Sequence, residues 1–204
     1  MTSAEGLRDG MNRSPAGRLL LDGLSALYSG AVAARRRLYG AGLLRSRSLP
    51  APVICFGNIS AGGTGKTSTV VAVAQALARS GRRPAVLIRG YRRASRSAAP
   101  AVLAKGRQFT LADSGDEALM LYRMLEPDGV PVVVSPDRYA SGSVAVGELG
   151  ADVLLMDDGF QHFALKRDAD IVLVNATAPF SSDRVLPRGN LREPAAGLAR
   201  ASAV

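Results

Sequence analysis

Short runs of uninterrupted apolar residues alternate with longer stretches in which apolar residues recur every three or four positions. The runs at 52–56 (PVICF), 84–88 (PAVLI), 131–134, 153–156 and 171–174 read as strands, with a shorter one at 101–104. Between them, 67–79, 114–125 and 138–149 read as helices, and Ser114 with Glu117 has the spacing of a capping box. Strands that lack polar alternation are buried on both faces. The pattern therefore predicts an α/β fold, a mostly parallel sheet with helices on both faces. Ligands of such sheets sit beyond the carboxyl ends of the strands, so chemistry is expected in the loops after residues 57, 88, 134, 157 and 174.

The first fifty residues follow a different pattern. Residues 1–15 are polar and are expected to fray, a helix is predicted over about 16–40, and 41–51 reads as a linker of Gly, Ser, Arg and Pro. This separates an N-terminal part, 1–50, from a core, 51–204. In the helix, Leu20, Leu24, Leu27 and Ala31 fall at helical spacing with Tyr28 alongside, and Arg35, Arg36 and Arg37 follow. No apolar run reaches the length of a spanning helix, and the basic cluster follows the apolar stretch, unlike a secretory signal. Two readings stay open: an amphipathic helix lying among lipid headgroups, or a helix packed on the domain with a solvated arginine end.

Composition narrows the chemistry. The 204 residues are 47% apolar, enough for a core, and suit one large domain or one domain and part of another. The net charge is +9, and all but three of the 26 basic residues are Arg, which favours anionic partners. Between 82 and 112 there are eight basic residues (Arg82, Arg83, Arg89, Arg92, Arg93, Arg96, Lys105, Arg107) and no acid. A single cysteine, Cys55, excludes an internal disulfide and any multi-cysteine metal site, and a single histidine, His162, excludes a His-pair zinc motif. With no Trp and 5% aromatics, base stacking is a poor prospect, and no nucleic-acid partner is expected.

The sharpest motif is SAGGTGKT at 60–67, placed between a predicted strand and a predicted helix. In such a phosphate loop, Ser60, Ala61, Gly62, Gly63, Thr64 and Gly65 turn backbone N–H groups inward on phosphate oxygens. Lys66 supplies a charge to the β- and γ-phosphates, Thr67 offers a hydroxyl to Mg²⁺, and the helix start adds its positive end. Ser60 stands where the strict pattern wants Gly. The run at 153–158 (VLLMDD) ends in two carboxylates, the arrangement that carries an Asp to Mg²⁺ beside the phosphate loop. Asp157 and Asp158 point to opposite sides of an extended strand, so one of them is expected to meet the metal directly. His162 follows in a Gly-containing loop, as a structural residue or as a group orienting a phosphate or carboxylate. Asp116 and Glu117 open a helix, where acids are favoured electrostatically; an Asp there also has the chemistry to accept a hydroxyl proton. Arg89, directly after a strand, is placed to reach the active edge.

Four segments stand in order, GNISAGGTGKT (57–67), RGYRR (89–93), GDEALML (115–121) and DDGFQH (157–162), followed by Leu186-Pro187 and LREP (191–194). Together they resemble the tetraacyldisaccharide 4'-kinase (lipid A 4'-kinase) family, from about residue 18 to the last. The resemblance implies a P-loop NTPase-like core that uses ATP and Mg²⁺ to phosphorylate the 4'-hydroxyl of an acylated glucosamine disaccharide 1-phosphate. It implies Lys66 on ATP phosphates, Thr67, Asp157 and Asp158 about Mg²⁺, Asp116 as base, and His162 near the transferring group. Arg89, Arg192 and Glu193 fall at the substrate edge. The family itself carries Ser or Thr at the position of Ser60. Its N-terminal helix seats the enzyme peripherally on the cytoplasmic face of the inner membrane. Members continue past LREP into a further lobe whose histidine supports the base, so this chain is expected to be the N-terminal lobe, with an apolar sheet edge exposed. A P-loop switch NTPase, or a fragment that binds nucleotide or membrane without transferring phosphate, are the alternatives.

Overall fold

A computed structural model of the chain describes residues 3–91, 99–176 and 184–204. Two helices lead, α1 (Ser3–Arg13) and α2 (Pro15–Gly40). The core then runs β1 (Val53–Gly57), α3 (Lys66–Arg79), β2 (Pro84–Ile88), β3 (Ala101–Leu103), α4 (Leu111–Ser114), α5 (Asp116–Leu125), β4 (Val132–Val134), α6 (Arg138–Gly147), β5 (Val153–Asp157) and β6 (Ala169–Val172). The six strands form one sheet in the order β3-β4-β2-β5-β1-β6. All neighbours are parallel except β3 on β4.

Alternation along the strands shows why these runs carry no polar residues. Phe56, Val86, Ile88, Val153 and Leu155 pack on one face against Val70, Val71 and Ala74 of α3 and Leu121 and Leu125 of α5. Val53, Cys55, Ala85, Leu87, Leu154 and Met156 pack on the other, against Ala145 of α6. Burying a side chain of this size contributes about 1.5–3 kcal/mol. β1 lies between β5 and β6, and Phe56 is level with Asp157, so the segments leaving β1 and β5 emerge side by side.

Three expectations change. Residues 3–13 form a helix where fraying was expected, and its Arg8 reaches the Gly189 carbonyl and Asn190. The capping box at 114–117 does not form: Ser114 ends α4, with its hydroxyl donating to the Thr110 carbonyl. Gly115, at φ 80°, turns the chain into α5 without a side-chain cap. The linker is fastened to the core, since Arg47 N–H donates to the Ala164 carbonyl and Lys166 N–H to the Arg47 carbonyl.

Candidate active site

The phosphate loop follows β1 directly and runs into α3. Gly62 (φ 140°) and Gly65 (φ 76°) take backbone conformations open to glycine, and a Cβ at either would meet no atom within 4 Å. The space in front of the loop is thus left for a ligand. The loop is held from beneath by Asn58, fully buried, whose amide donates to Thr64 Oγ1 at 3.2 Å and to the Gly62 carbonyl at 3.4 Å. Its outer side is covered by the LREP segment: Ser60 and Leu191 make an antiparallel bridge, and Ala61 N–H donates to the Asn190 carbonyl at 2.6 Å.

The acidic pair separates as the alternation requires. Asp157 continues the side of Leu155, which faces α3, and it accepts the Thr67 hydroxyl on Oδ2 at 3.0 Å. Its Oδ1 is buried with no hydrogen-bond partner among the described residues. Burial raises the Asp157 pKa above the ordinary carboxylate value, the Thr67 hydroxyl opposing it and the Glu117 and Asp158 charges adding to it. Asp158 leaves the strand with φ 52°, a left-handed backbone that Asp tolerates better than most residues. Its carboxylate faces Lys66 Nζ at 3.7 Å and accepts both hydrogen bonds of Arg192 Nη1, at 2.8 and 2.9 Å. An unsatisfied carboxylate oxygen beside a threonine hydroxyl is a donor set that suits a hard cation such as Mg²⁺.

A cleft of about 690 Å³ opens beside these groups. Asp157, Asp158, His162, Arg89 and Arg192 line it, together with Glu117, Gln161 and Arg138. α2 contributes Tyr28 and Arg35 to the same wall. Asp116 is exposed in the first turn of α5 and does not line the cleft, whereas Glu117 does. Glu193, expected at the substrate edge, is 2% exposed, and its carboxylate is taken up by Arg200 and Gln161. Arg92, Arg93 and Arg96 of the basic run lie outside the described residues.

His162 enters as a neutral imidazole. Burial, then Arg138, Arg167 and Arg35, push its pKa down to about 4, so it exchanges hydrogen bonds rather than charge at neutral pH. Arg138 is the residue that sequence reading missed. It is 3% exposed, with Nη1 donating to the Ser135 carbonyl at 2.6 Å and Nε without a partner among the described residues. Burial, then Arg89, lower its pKa to about 10, which leaves it charged at neutral pH. In the sequence it stood only as the first residue of a helix after a strand; its place just beyond a strand's carboxyl end was the available signal, and nothing local marked it as buried.

The family model described as tetraacyldisaccharide-1-P 4'-kinase matches residues 17–204. A tetraacyldisaccharide 4'-kinase of Elusimicrobium minutum is 42% identical over 98% of this chain and 54% of its own length. One from Halothermothrix orenii is 40% identical over 89% of this chain and 47% of its own length. The crystal structure of the "apo" form of LpxK from Aquifex aeolicus in complex with ATP superposes with a TM-score of 0.79 at 36% identity, over 96% of this chain and 57% of that one. The chain spans about half the length of the curated relatives that it matches.

Proposed function

The chain belongs to the tetraacyldisaccharide 4'-kinase family, and from there we propose that it supplies the ATP-binding lobe of a kinase for the 4'-hydroxyl of a tetraacylated glucosamine disaccharide 1-phosphate. The observation that carries this reading is the Thr67–Asp157 hydrogen bond beside Lys66, at the mouth of a cleft lined by Arg89, Arg138 and Arg192. Backbone N–H groups of 62–67 and the start of α3 take the phosphates, with Lys66 on the β- and γ-groups, while the Ala61 N–H is held by the Asn190 carbonyl. Thr67, Asp157 and Asp158 would hold Mg²⁺, which when bound neutralises charge on the transferring phosphoryl group. The chain's own task is to align the acceptor oxygen with the γ-phosphate and to spread positive charge around it. Asp116 is proposed to take the hydroxyl proton. Glu117 is a second candidate, since its side chain lines the cleft.

α2 would rest on the cytoplasmic face of the inner membrane. Leu19, Leu20, Leu24 and Leu27 are exposed on it, and Arg35, Arg36 and Arg37 follow. No helix among the described residues is long and apolar enough to cross a membrane.

The test is transfer of labelled phosphate from ATP to the disaccharide 1-phosphate, by this chain and by a form extended to the length of its relatives. Lys66→Ala is expected to abolish labelling, and wild-type rates in that variant would refute the phosphate role. Asp116→Asn and Glu117→Gln separate the two bases: the true one loses at least about a hundredfold in turnover while ATP still binds.

A further inference from the structure

Glu193 stands at the centre of a partly buried polar chain that ends on the phosphate loop. Its Oε2 accepts from Arg200 Nη1 at 2.8 Å, and its Oε1 accepts from Arg200 Nη2 at 3.1 Å and from Gln161 Nε2 at 2.9 Å. The same Gln161 amide donates to the Asn58 carbonyl at 2.9 Å, and the Asn58 side chain donates to the carbonyl of Gly62 and the hydroxyl of Thr64. The Arg200 guanidinium lies over the Phe160 ring, 4.3 Å from its centroid. The site is closely fitted: a Cβ on Gly197 would stand 2.4 Å from Glu193 Oε2, and one on Gly57 2.5 Å from Phe160 Cβ.

A buried ion pair is a poor stabiliser, because hydrophobic residues of equal volume often do as well or better. What it offers is direction. A carboxylate fixed by a two-pronged guanidinium can aim a neighbouring amide, and an amide that donates to two carbonyl-type oxygens has no freedom to flip. We infer that Glu193 is a positioning residue for nucleotide binding, acting through Gln161 and Asn58 to hold Gly62 and Thr64 with their N–H groups presented to phosphate. This rests on the nucleotide reading above. The backbone of the same segment strengthens it, since Arg192 N–H donates to the Ile59 carbonyl at 2.6 Å.

The experiment is titration of the chain with a fluorescent ATP analogue and Mg²⁺, beside thermal melts and acceptor KM in the extended form. Gln161→Leu cuts the relay and leaves the Glu193–Arg200 pair intact. It is expected to weaken the analogue about tenfold and also to lower the melting temperature, since the Asn58 carbonyl and Glu193 Oε1 both lose its amide as donor. Glu193→Gln keeps an oxygen for Gln161 but sets its NH2 against Arg200 Nη1 and leaves that guanidinium without its charge partner. It should therefore weaken the analogue at least as much as Gln161→Leu and also lower the melting temperature. Replacing Glu193 and Arg200 together by Leu avoids an orphaned charge and should match the Gln161→Leu loss; adding Gln161→Leu to that pair should cost nothing more. Additive losses, an unaffected Gln161→Leu, or a change confined to acceptor KM would overturn the relay while leaving the nucleotide site standing. No binding by the wild-type chain would sink both.

Discussion

At Asp158 backbone and charge make separate demands. The left-handed φ of 52° penalises branched side chains, whereas the carboxylate serves Lys66 and Arg192. Asp158→Asn is expected to keep the fold within about 0.5 kcal/mol, and Asp158→Val to cost about 1–2 kcal/mol, by urea unfolding. Both should lose phosphate transfer, so the two variants separate strain from chemistry. His162 makes a pH prediction. Its folded pKa, about 4, lies below the ordinary value of 6.5. Between those values the unfolded chain binds a proton that the folded chain refuses. Its contribution is therefore whole above about pH 6.5 and is lost as the pH falls towards 4. Urea unfolding at about pH 7 and pH 4.5 should show the loss, and His162→Gln should flatten it; an unchanged slope would assign the effect elsewhere. The sequence already carried the Asp157/Asp158 division, because alternation along a strand is a local rule. It did not carry the burial of Glu193 or Arg138, which depends on what other segments bring to them.

Among the elements, the end of β1 is the most constrained. Gly57 lies so close to Phe160 that a methyl group must push the 158–162 loop away. Gly57→Ala is expected to cost about 1–3 kcal/mol by overpacking, and to weaken ATP binding as well, since Asn58 follows directly. Full stability and affinity in that variant would show that the loop yields freely. The strands and long helices were legible because each is a periodic stretch with its own period, and the observed bounds agree to within a few residues. The start of α5 misled for a physical reason. Ser-x-x-Glu can cap a helix, yet here Thr110 caps α4 four residues earlier, its Oγ1 accepting from Asp113 N–H. Gly115 then makes the turn.

Over the molecule as a whole, α1 and α2 are tied to the nucleotide side by one turn. The Ser25 hydroxyl donates to the Val185 carbonyl and accepts Arg188 N–H, while the Arg188 guanidinium pairs with Asp22. That turn continues to Asn190, whose carbonyl accepts Ala61 N–H in the phosphate loop. Nothing local foretold this, because the partners lie more than a hundred residues apart and find each other only once the sheet has formed. Replacing Leu20, Leu24 and Leu27 together by Ser should leave the melting temperature nearly unchanged, since all three are exposed. It should also sharply reduce co-sedimentation with anionic phospholipid vesicles. Undiminished sedimentation would leave α2 as an ordinary surface helix.

Tyr28 and Arg35 line the cleft, while Leu20 and Leu27 of the same helix face outward. A helix with its side chains is about 10 Å thick. Leu20 and Leu27 lie only about a quarter-turn round the helix from Tyr28, so if they touch lipid the cleft opens beside that contact, within about one such thickness of the bilayer. An acceptor hydroxyl tethered to embedded chains would then have a short climb, its height set by the girth of one helix.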